Sequence, residues 1–349
     1  MESRWQAVSR GGRLGLAATL LAMSAACGSS AASTKPTTSA SPSAARSAAT
    51  PSAAPSAKPV ATIKPGQSGT VVAWGDDGSG QIDVPRGLKD VVAVAAGDEF
   101  SLALKSDGTV VGWGSDDGGE TEIPASLKDV KAISAGSYFG LALKNDGTVI
   151  GWGDDSDKEN TPPAGLKNVI EISAGGSHAL ALKSDGTVVA WGSDADGEID
   201  VPAGLKSVIH VSAGYDFSLA LLKNGTVVAW GDKYPTDVPT GVTNVPVGLA
   251  GVTGISAGYY HSLAVRADGT IVGWGSNQDR ETVVPIGVLA VAIAAGGNFS
   301  LALKPDGTVA AWGGNDAGQT VLPAALVNAR VIAIDAGGSH ALAVIATAP

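Results

Sequence analysis

Apolar and polar residues alternate with period two along most of this chain, and the alternation restarts at a fixed interval. Within 166–202, "LKNVIEISAG" alternates and is broken by "GGS", and "HALALKS" then alternates again. "DG" supplies a tight hairpin turn, and "TVVAWG" reads as a third strand. After "SDADGE", the segment "IDVP" reads as a short fourth strand whose proline suits an outer edge. Each unit is therefore expected to be a four-stranded antiparallel meander with no helix.

The unit recurs. Trp-Gly pairs begin at Trp74, Trp113, Trp152, Trp191, Trp230, Trp274 and Trp312, spaced 39, 39, 39, 39, 44 and 38 residues apart. Ala-Gly steps end at Gly97, Gly136, Gly175, Gly214, Gly258, Gly296 and Gly337. A period near 40 marks a repeat architecture, and small antiparallel sheets cannot bury both faces alone. The small residues of "ISAG" fit an inner strand, where radial sheets converge. The repeats open with "GTVVAWG" at 69–75, a third strand without a first or second. They close with "VIAIDAGGSHALAV" at 331–344, a first and second strand without a third. The fragments complete one blade and remove the exposed edges. The expectation is an all-β, seven-bladed β-propeller over 66–349, with four-stranded antiparallel blades, closed by N- and C-terminal strands that share one blade.

The first 65 residues change the picture of where this body works. Arg4, Arg10 and Arg13 precede an apolar run from Leu14 to Met23, too short for a spanning helix, and small residues follow. This is the order of a secretory signal over 1–26. Cys27, the only cysteine, excludes a disulfide framework and sits in "LLAMSAACGSS", which resembles a bacterial lipobox with Ser24 at the place usually held by Leu. Lipidation of Cys27 gives an anchored protein on the outer face of the cell membrane; ordinary cleavage gives a secreted one. Residues 28–65 are rich in Ser, Ala, Thr and Pro and are expected to be a disordered tether, with a reach of roughly 30–37 Å. Seven of the 23 basic residues and one of the 33 acids lie in 1–65, so the body holds 16 basic and 32 acidic residues. That surface repels phosphate backbones and excludes nucleic acid as a partner.

Repetition within one chain separates framework from site. His178, His261 and His340 share their slot with Phe100, Phe139, Phe217 and Phe299, which makes it a packing position. His210 stands alone on a strand with no evident partner. The Trp residues of the repeats are expected to pack between blades. The five Tyr occupy no recurring slot: Tyr138, Tyr215, Tyr259 and Tyr260 follow Ala-Gly steps, and Tyr234 follows a Trp-Gly step. In a meander those two loop sets emerge at one end and the "DG" turns at the other, so all five lie on one face. Twenty of the 32 acids of the body fall between the Trp-Gly pairs and the following Val-Pro-like steps, among them Asp76, Asp116, Glu120, Glu159 and Glu198. The loop "DKYPTDVPTGVTN" is five residues longer than its counterparts and carries Tyr234 beside Asp232. Tyrosines amid acids form a plausible protein-binding face.

"SAGGSHALALKSDGTVVAWG" resembles the regulator of chromosome condensation repeat, across essentially all of 67–345. The short period and linkers such as "VPAGLKSV" more closely resemble the secreted seven-bladed β-lactamase inhibitory protein family. That resemblance implies a propeller whose loop aromatics contact a class A β-lactamase. Carried over position by position, it implicates Tyr138, Tyr215, Tyr234, Tyr259 and Tyr260, with Asp232 as an acidic neighbour. The inhibitors rely on Trp in those loops, and this chain has none there. The function expected is extracytoplasmic protein binding by a monomer, through another cell-surface protein if not a β-lactamase. The alternative is a wall-polymer or carbohydrate-binding module, which would also use exposed aromatics. No nucleophile, base and orienter stand at defined positions, so no enzyme activity and no cofactor are expected. "DADGEID" at 194–200 lacks the spacing and terminal Glu of an EF-hand, and no metal site is expected.

Overall fold

A computed structural model describes residues 67–232 and 241–347. Cys27, the signal, the tether and Tyr234 lie outside the described residues. The chain enters on β1 (Gly69–Gly75) and then repeats one pattern. The first repeats are β2 (Val91–Ala96), β3 (Phe100–Lys105) and β4 (Val110–Gly114), then β5 (Val130–Ala135), β6 (Phe139–Lys144) and β7 (Val149–Gly153). Next come β8 (Val169–Ala174), β9 (His178–Lys183) and β10 (Val188–Gly192), then β11 (Val208–Ala213), β12 (Phe217–Leu222) and β13 (Val227–Gly231). They are followed by β14 (Val252–Ala257), β15 (His261–Arg266) and β16 (Ile271–Gly275), then β17 (Ala292–Ala295), β18 (Phe299–Leu303) and β19 (Val309–Gly313). The chain ends on β20 (Val331–Ala336) and β21 (His340–Ala346).

Each repeat is an antiparallel meander of three strands, not the four expected. The "IDVP" segments form turns: Asp200 donates its amide to the Gly197 carbonyl at 3.1 Å, Val201 to Ile199 at 2.8 Å and Leu205 to Pro202 at 3.0 Å. These local bonds consume the groups a ladder would need, and the proline offers no donor. The predicted hairpins are present. In "KSDGT" the Thr187 amide is capped by Asp185 Oδ1 at 3.0 Å, and Gly186 takes the left-handed φ of 78° that closes the turn. The one helical turn among the described residues is a 3₁₀ segment, Ala324–Leu326, which seats Leu326 in the core.

The first and last described strands meet. β1 pairs antiparallel with β21 over seven residues, from Gly69 opposite Ala346 to Gly75 opposite His340. The six-stranded sheet β20-β21-β1-β2-β3-β4 results, with β1 touching β2 only at Gly69–Val91, and five sheets of three strands complete the set. Each inner strand lies beside the inner strand of the next repeat, and β20 lies beside β2.

Neighbouring repeats are fastened at three levels. The tryptophans, buried as expected, donate Nε1–H to a carbonyl one repeat back: Trp113 to Gln81, Trp152 to Glu120, Trp191 to Glu159 and Trp230 to Glu198, at 2.7–2.9 Å. On the inner strands, Ser134, Ser173, Ser212 and Ser256 each accept the amide of the next repeat's Ala174, Ala213, Ala257 and Ala295, at 2.9–3.0 Å. Asp335 holds the same slot on β20 and accepts from Ala96 at 2.9 Å. His178, His261 and His340, fully buried, place Nε2 2.9–3.0 Å from Ser218, Ser300 and Ser101 Oγ. His210 is not alone. Its Nδ1 meets Glu171 Oε1 one repeat away, and its Nε2 lies 3.2 Å from the Ile255 carbonyl.

The recurrent Ala-Gly glycine has a steric cause. A Cβ on Gly337 would lie 2.3 Å from the Gly97 carbonyl oxygen, and one on Gly258 would lie 2.3 Å from that of Gly296. Backbone occupies the space, so the repeats would have to part. Gly337→Ala is expected to cost about 1–3 kcal/mol or more by overpacking. Gly78→Ala, where a Cβ meets nothing closer than the Asp76 carboxylate at 3.4 Å, should stay within about 0.5 kcal/mol. Urea unfolding of both variants tests this, and equal midpoints would refute the steric account.

Candidate functional site

Two residues separate each Ala-Gly step from the following strand, and this short loop varies from repeat to repeat. It reads Asp98-Glu99, Ser137-Tyr138, Gly176-Ser177, Tyr215-Asp216, Tyr259-Tyr260, Gly297-Asn298 and Gly338-Ser339. The loops are tied to one another by backbone bonds. The Asp98 amide donates to the Ser137 carbonyl at 3.4 Å, Ser137 to Gly175 at 3.2 Å and Tyr259 to Gly296 at 3.2 Å. Gly297 donates to Gly337 and Gly338 to Gly97, both at 3.1 Å. Side chains set on such a frame are held in place without needing contacts of their own.

Four of the predicted residues come together here. Tyr215, Tyr259 and Tyr260 form a triangle with ring centroids 5.0, 5.9 and 6.2 Å apart, the Tyr259–Tyr260 pair edge-on. Tyr259 reaches across the loop face to donate its hydroxyl to Asp98 Oδ1 at 2.5 Å. Tyr138 approaches the other oxygen of the same carboxylate at 3.5 Å. Tyr138 and Tyr260 are nearly half exposed, at 47% and 46%, whereas Tyr215 and Tyr259 are partly buried. Burial first, then the Asp98 charge and hydrogen bond, holds the Tyr259 phenol far above its usual range. It therefore stays a donor.

Asp98 is the residue that the sequence reading missed. Burial raises its pKa, against the lowering effect of the Tyr259 bond. Asp216, between Tyr215 and β12, is likewise pushed up to about 6 by burial and then by the charges of Asp196, Glu198 and Asp232. Asp232 is thus drawn into the site, and its amide donates to the Asp216 carbonyl at 3.0 Å. The signal was available: both acids fall in the variable two-residue slot that also holds four tyrosines.

The acidic rim needs a correction. Glu120, Glu159 and Glu198 are buried, not rim residues. Each folds its carboxylate back onto a loop amide two residues earlier, Gly118, Asp157 and Asp196, at 2.8 Å. Gln81 and Gln319 do the same with an amide oxygen, at 2.8 and 2.9 Å to Ser79 and Ala317. A slot shared by Glu and Gln serves hydrogen bonding rather than charge. The acids left outside it still dominate the loop face. Among the described residues, no group of three His, Cys, Asp or Glu is arranged to hold a metal ion.

Six segments, 91–120, 130–158, 169–198, 208–233, 252–280 and 290–319, match the regulator of chromosome condensation (RCC1) repeat. The chain carries six RCC1-like repeats. Solved structures share its fold. Prp20p from Saccharomyces cerevisiae, described with its binding properties to Gsp1p and histones, superposes with a TM-score of 0.70 at 17% identity. The match covers 82% of this chain and 93% of that one. Human WBSCR16 gives 0.62 at 16% identity over 81% and 99%. The ectodomain of the Physcomitrella patens receptor kinase CR4 gives 0.59 at 24% over 71% and 68%. No curated protein matches the chain in sequence. At these identities the RCC1-repeat likeness shows the propeller fold alone, and the loops must speak for function.

Proposed function

We propose that this RCC1-repeat chain is a closed seven-bladed propeller, exported from the cytoplasm, that binds a protein partner through its tyrosine-lined loop face. The observation that carries this reading is the packed Tyr215–Tyr259–Tyr260 triangle, bridged through Asp98 to Tyr138. Aromatic rings already ordered by one another lose little freedom on binding, and rigid aromatic anchors dominate interface energetics. The pairing of β1 with β21 and the neighbouring of β20 and β2 support closure of the ring. The signal-like segment at 1–26 supports export, and Cys27 offers a lipid anchor. Within this reading the narrower partner is a class A β-lactamase, and the absence of Trp from the loops argues for weaker binding than the inhibitors achieve.

Nitrocefin turnover by class A β-lactamases, titrated with the purified chain, tests the narrower partner. Inhibition should weaken about 10- to 30-fold for each of Tyr138→Ala and Tyr260→Ala, the usual range for an anchor losing 1.4–2 kcal/mol. Full turnover at high protein concentration removes the β-lactamases as partners. Capture of exported proteins on immobilised chain tests the face itself. An unchanged set of captured proteins with the double variant would overturn it. Retention on purified cell wall alone would reassign the face to a polymer.

A further inference from the structure

An axial cavity of about 560 Å³ runs between the inner strands, lined by residues of β2, β5, β8, β11, β14, β17 and β20. Its wall can be read slot by slot. The slot before the terminal alanine of each inner strand holds Ala95, Ser134, Ser173, Ser212, Ser256, Ala294 and Asp335. Serine satisfies that slot in four repeats by accepting one amide from the next repeat. At Asp335 a single carboxylate oxygen, Oδ2, does the same work on the Ala96 amide. The carboxyl therefore exceeds what the fold asks of the position. Ser would do the same work without placing an ionisable group on the cavity wall.

The charge has no counterpart. The other charged side chains on the cavity wall are Lys131, Glu171 and His210. Glu171 and His210 pair with each other. Lys131 is exposed on β5, at the end of the inner strands away from the tyrosine loops. No basic nitrogen lies within salt-bridge distance of Asp335 among the described residues. Burial raises the Asp335 carboxyl to about 7, with the Ala96 and Ala336 amides lowering it in part. Lys131 and Ile170, the latter 53% exposed, mark an end through which the cavity meets solvent.

We propose that this cavity binds a small organic cation, a primary ammonium held by Asp335 with its carbon chain along the alanine wall. The space is too large and the oxygen donors too dispersed for a bare metal ion, which would want several carboxylates together. An ammonium offers three donors and a full charge to the carboxylate, which has no cationic partner in the cavity. Its alkyl portion lies against small apolar residues such as Ala93, Ala95 and Ala333.

The experiment is calorimetric titration of the full chain with n-butylammonium, and with 1-butanol as the neutral probe. At pH 8, n-butylammonium should bind saturably with a Kd of ~1 mM or tighter, and 1-butanol should not. Affinity should fall about tenfold for each pH unit below the Asp335 value of about 7, as the carboxyl takes up a proton. Asp335→Ser should abolish binding while leaving every surface acid in place, which separates the cavity from diffuse attraction to an acidic body. Asp335→Asn serves if the serine variant does not fold. Equal binding by wild type and either folded variant would overturn the proposal. So would no binding by wild type, or equal binding of the alcohol.

Discussion

A chain shortened to begin after Gly75 is expected to lose cooperative folding, although it keeps twenty of the twenty-one described strands. β1 supplies the outer strand of the blade that β20 and β21 begin, and its loss uncovers the whole partner edge of β21. Trp74, 5% exposed, packs with Phe299, Leu301 and Ile334 and donates Nε1–H to the Gln319 carbonyl at 2.9 Å. Removing a buried aromatic of this size costs about 3–5 kcal/mol. Val71 leaves a second cluster around Val94 and Leu342 at the same time. A typical total stability is only about 5–15 kcal/mol, so the two losses with an unpaired edge exhaust most of it. An open stack of repeats would behave differently, because removal of a terminal element there leaves the remaining repeats folded. Thermal unfolding followed by near-ultraviolet circular dichroism discriminates the two. A cooperative transition within a few degrees of the intact chain would show that the fold does not depend on the pairing of β1 with β21.

Much of this was legible in the residues. Period-two alternation and the "DG" or "NG" turns located the three strands of the repeats, and the complementary fragments at 69–75 and 331–344 announced the pairing of β1 with β21. The fourth strand failed because alternation in "IDVP" is too short to distinguish a ladder from successive tight turns. Local bonds such as Val201 to Ile199 won. Charge was read too literally in the long loops. Glu120 and Glu198 are hydrogen-bond acceptors for their own turns, which their sharing of a slot with Gln81 and Gln319 already hinted. The partners missed were those one period apart. Glu171 and His210 differ by 39 residues, and His178 and Ser218 by 40. Sequence positions read modulo the repeat become neighbours in space, so His210 had its partner in the same slot of the preceding repeat. Asp98 and Tyr259, 161 residues apart, follow no such rule. Their meeting depends on how far a phenol reaches across the mouth, which no repeat arithmetic contains.

Replacing His178, His261 and His340 together with Phe is expected to make stability rise on acidification. In each pair the serine hydroxyl donates to a carbonyl, as Ser101 does to Gln81, Ser218 to Glu198 and Ser300 to Glu281, all at 2.8 Å. The serine oxygen must then accept from Nε2–H, which leaves Nδ1 bare, buried and without a partner among the described residues. Burial holds these imidazoles at about 3, 3 and 4, so they stay neutral in the fold. An unfolded histidine takes its proton near pH 6.5. Between that value and the folded ones the unfolded chain binds more protons, and stability falls as pH falls, by up to ~1.4 kcal/mol per pH unit for each ring. Asp335 and Asp216, raised to about 7 and about 6 by burial, act with the opposite sign. They keep protons in the fold that the unfolded chain has released, so they lose stability as pH rises above about 4. Asp98 and Glu159, also raised by burial, act in the same direction, so in the wild type the histidine contributions are largely offset between about pH 6 and 4.5. The triple variant leaves the carboxyls unopposed and should gain stability over that interval. Near pH 7.5 it should be weaker by about 1 kcal/mol for each lost His–Ser bond. The cost stays modest because Phe already fills the slot in four repeats, and Ser262, in the repeat after Phe217, already has no partner among the described residues. Urea unfolding at about pH 5 and pH 7.5 should therefore give midpoints that cross between wild type and variant. Parallel curves would mean that the three rings carry protons in the folded state, both ring nitrogens then being donors.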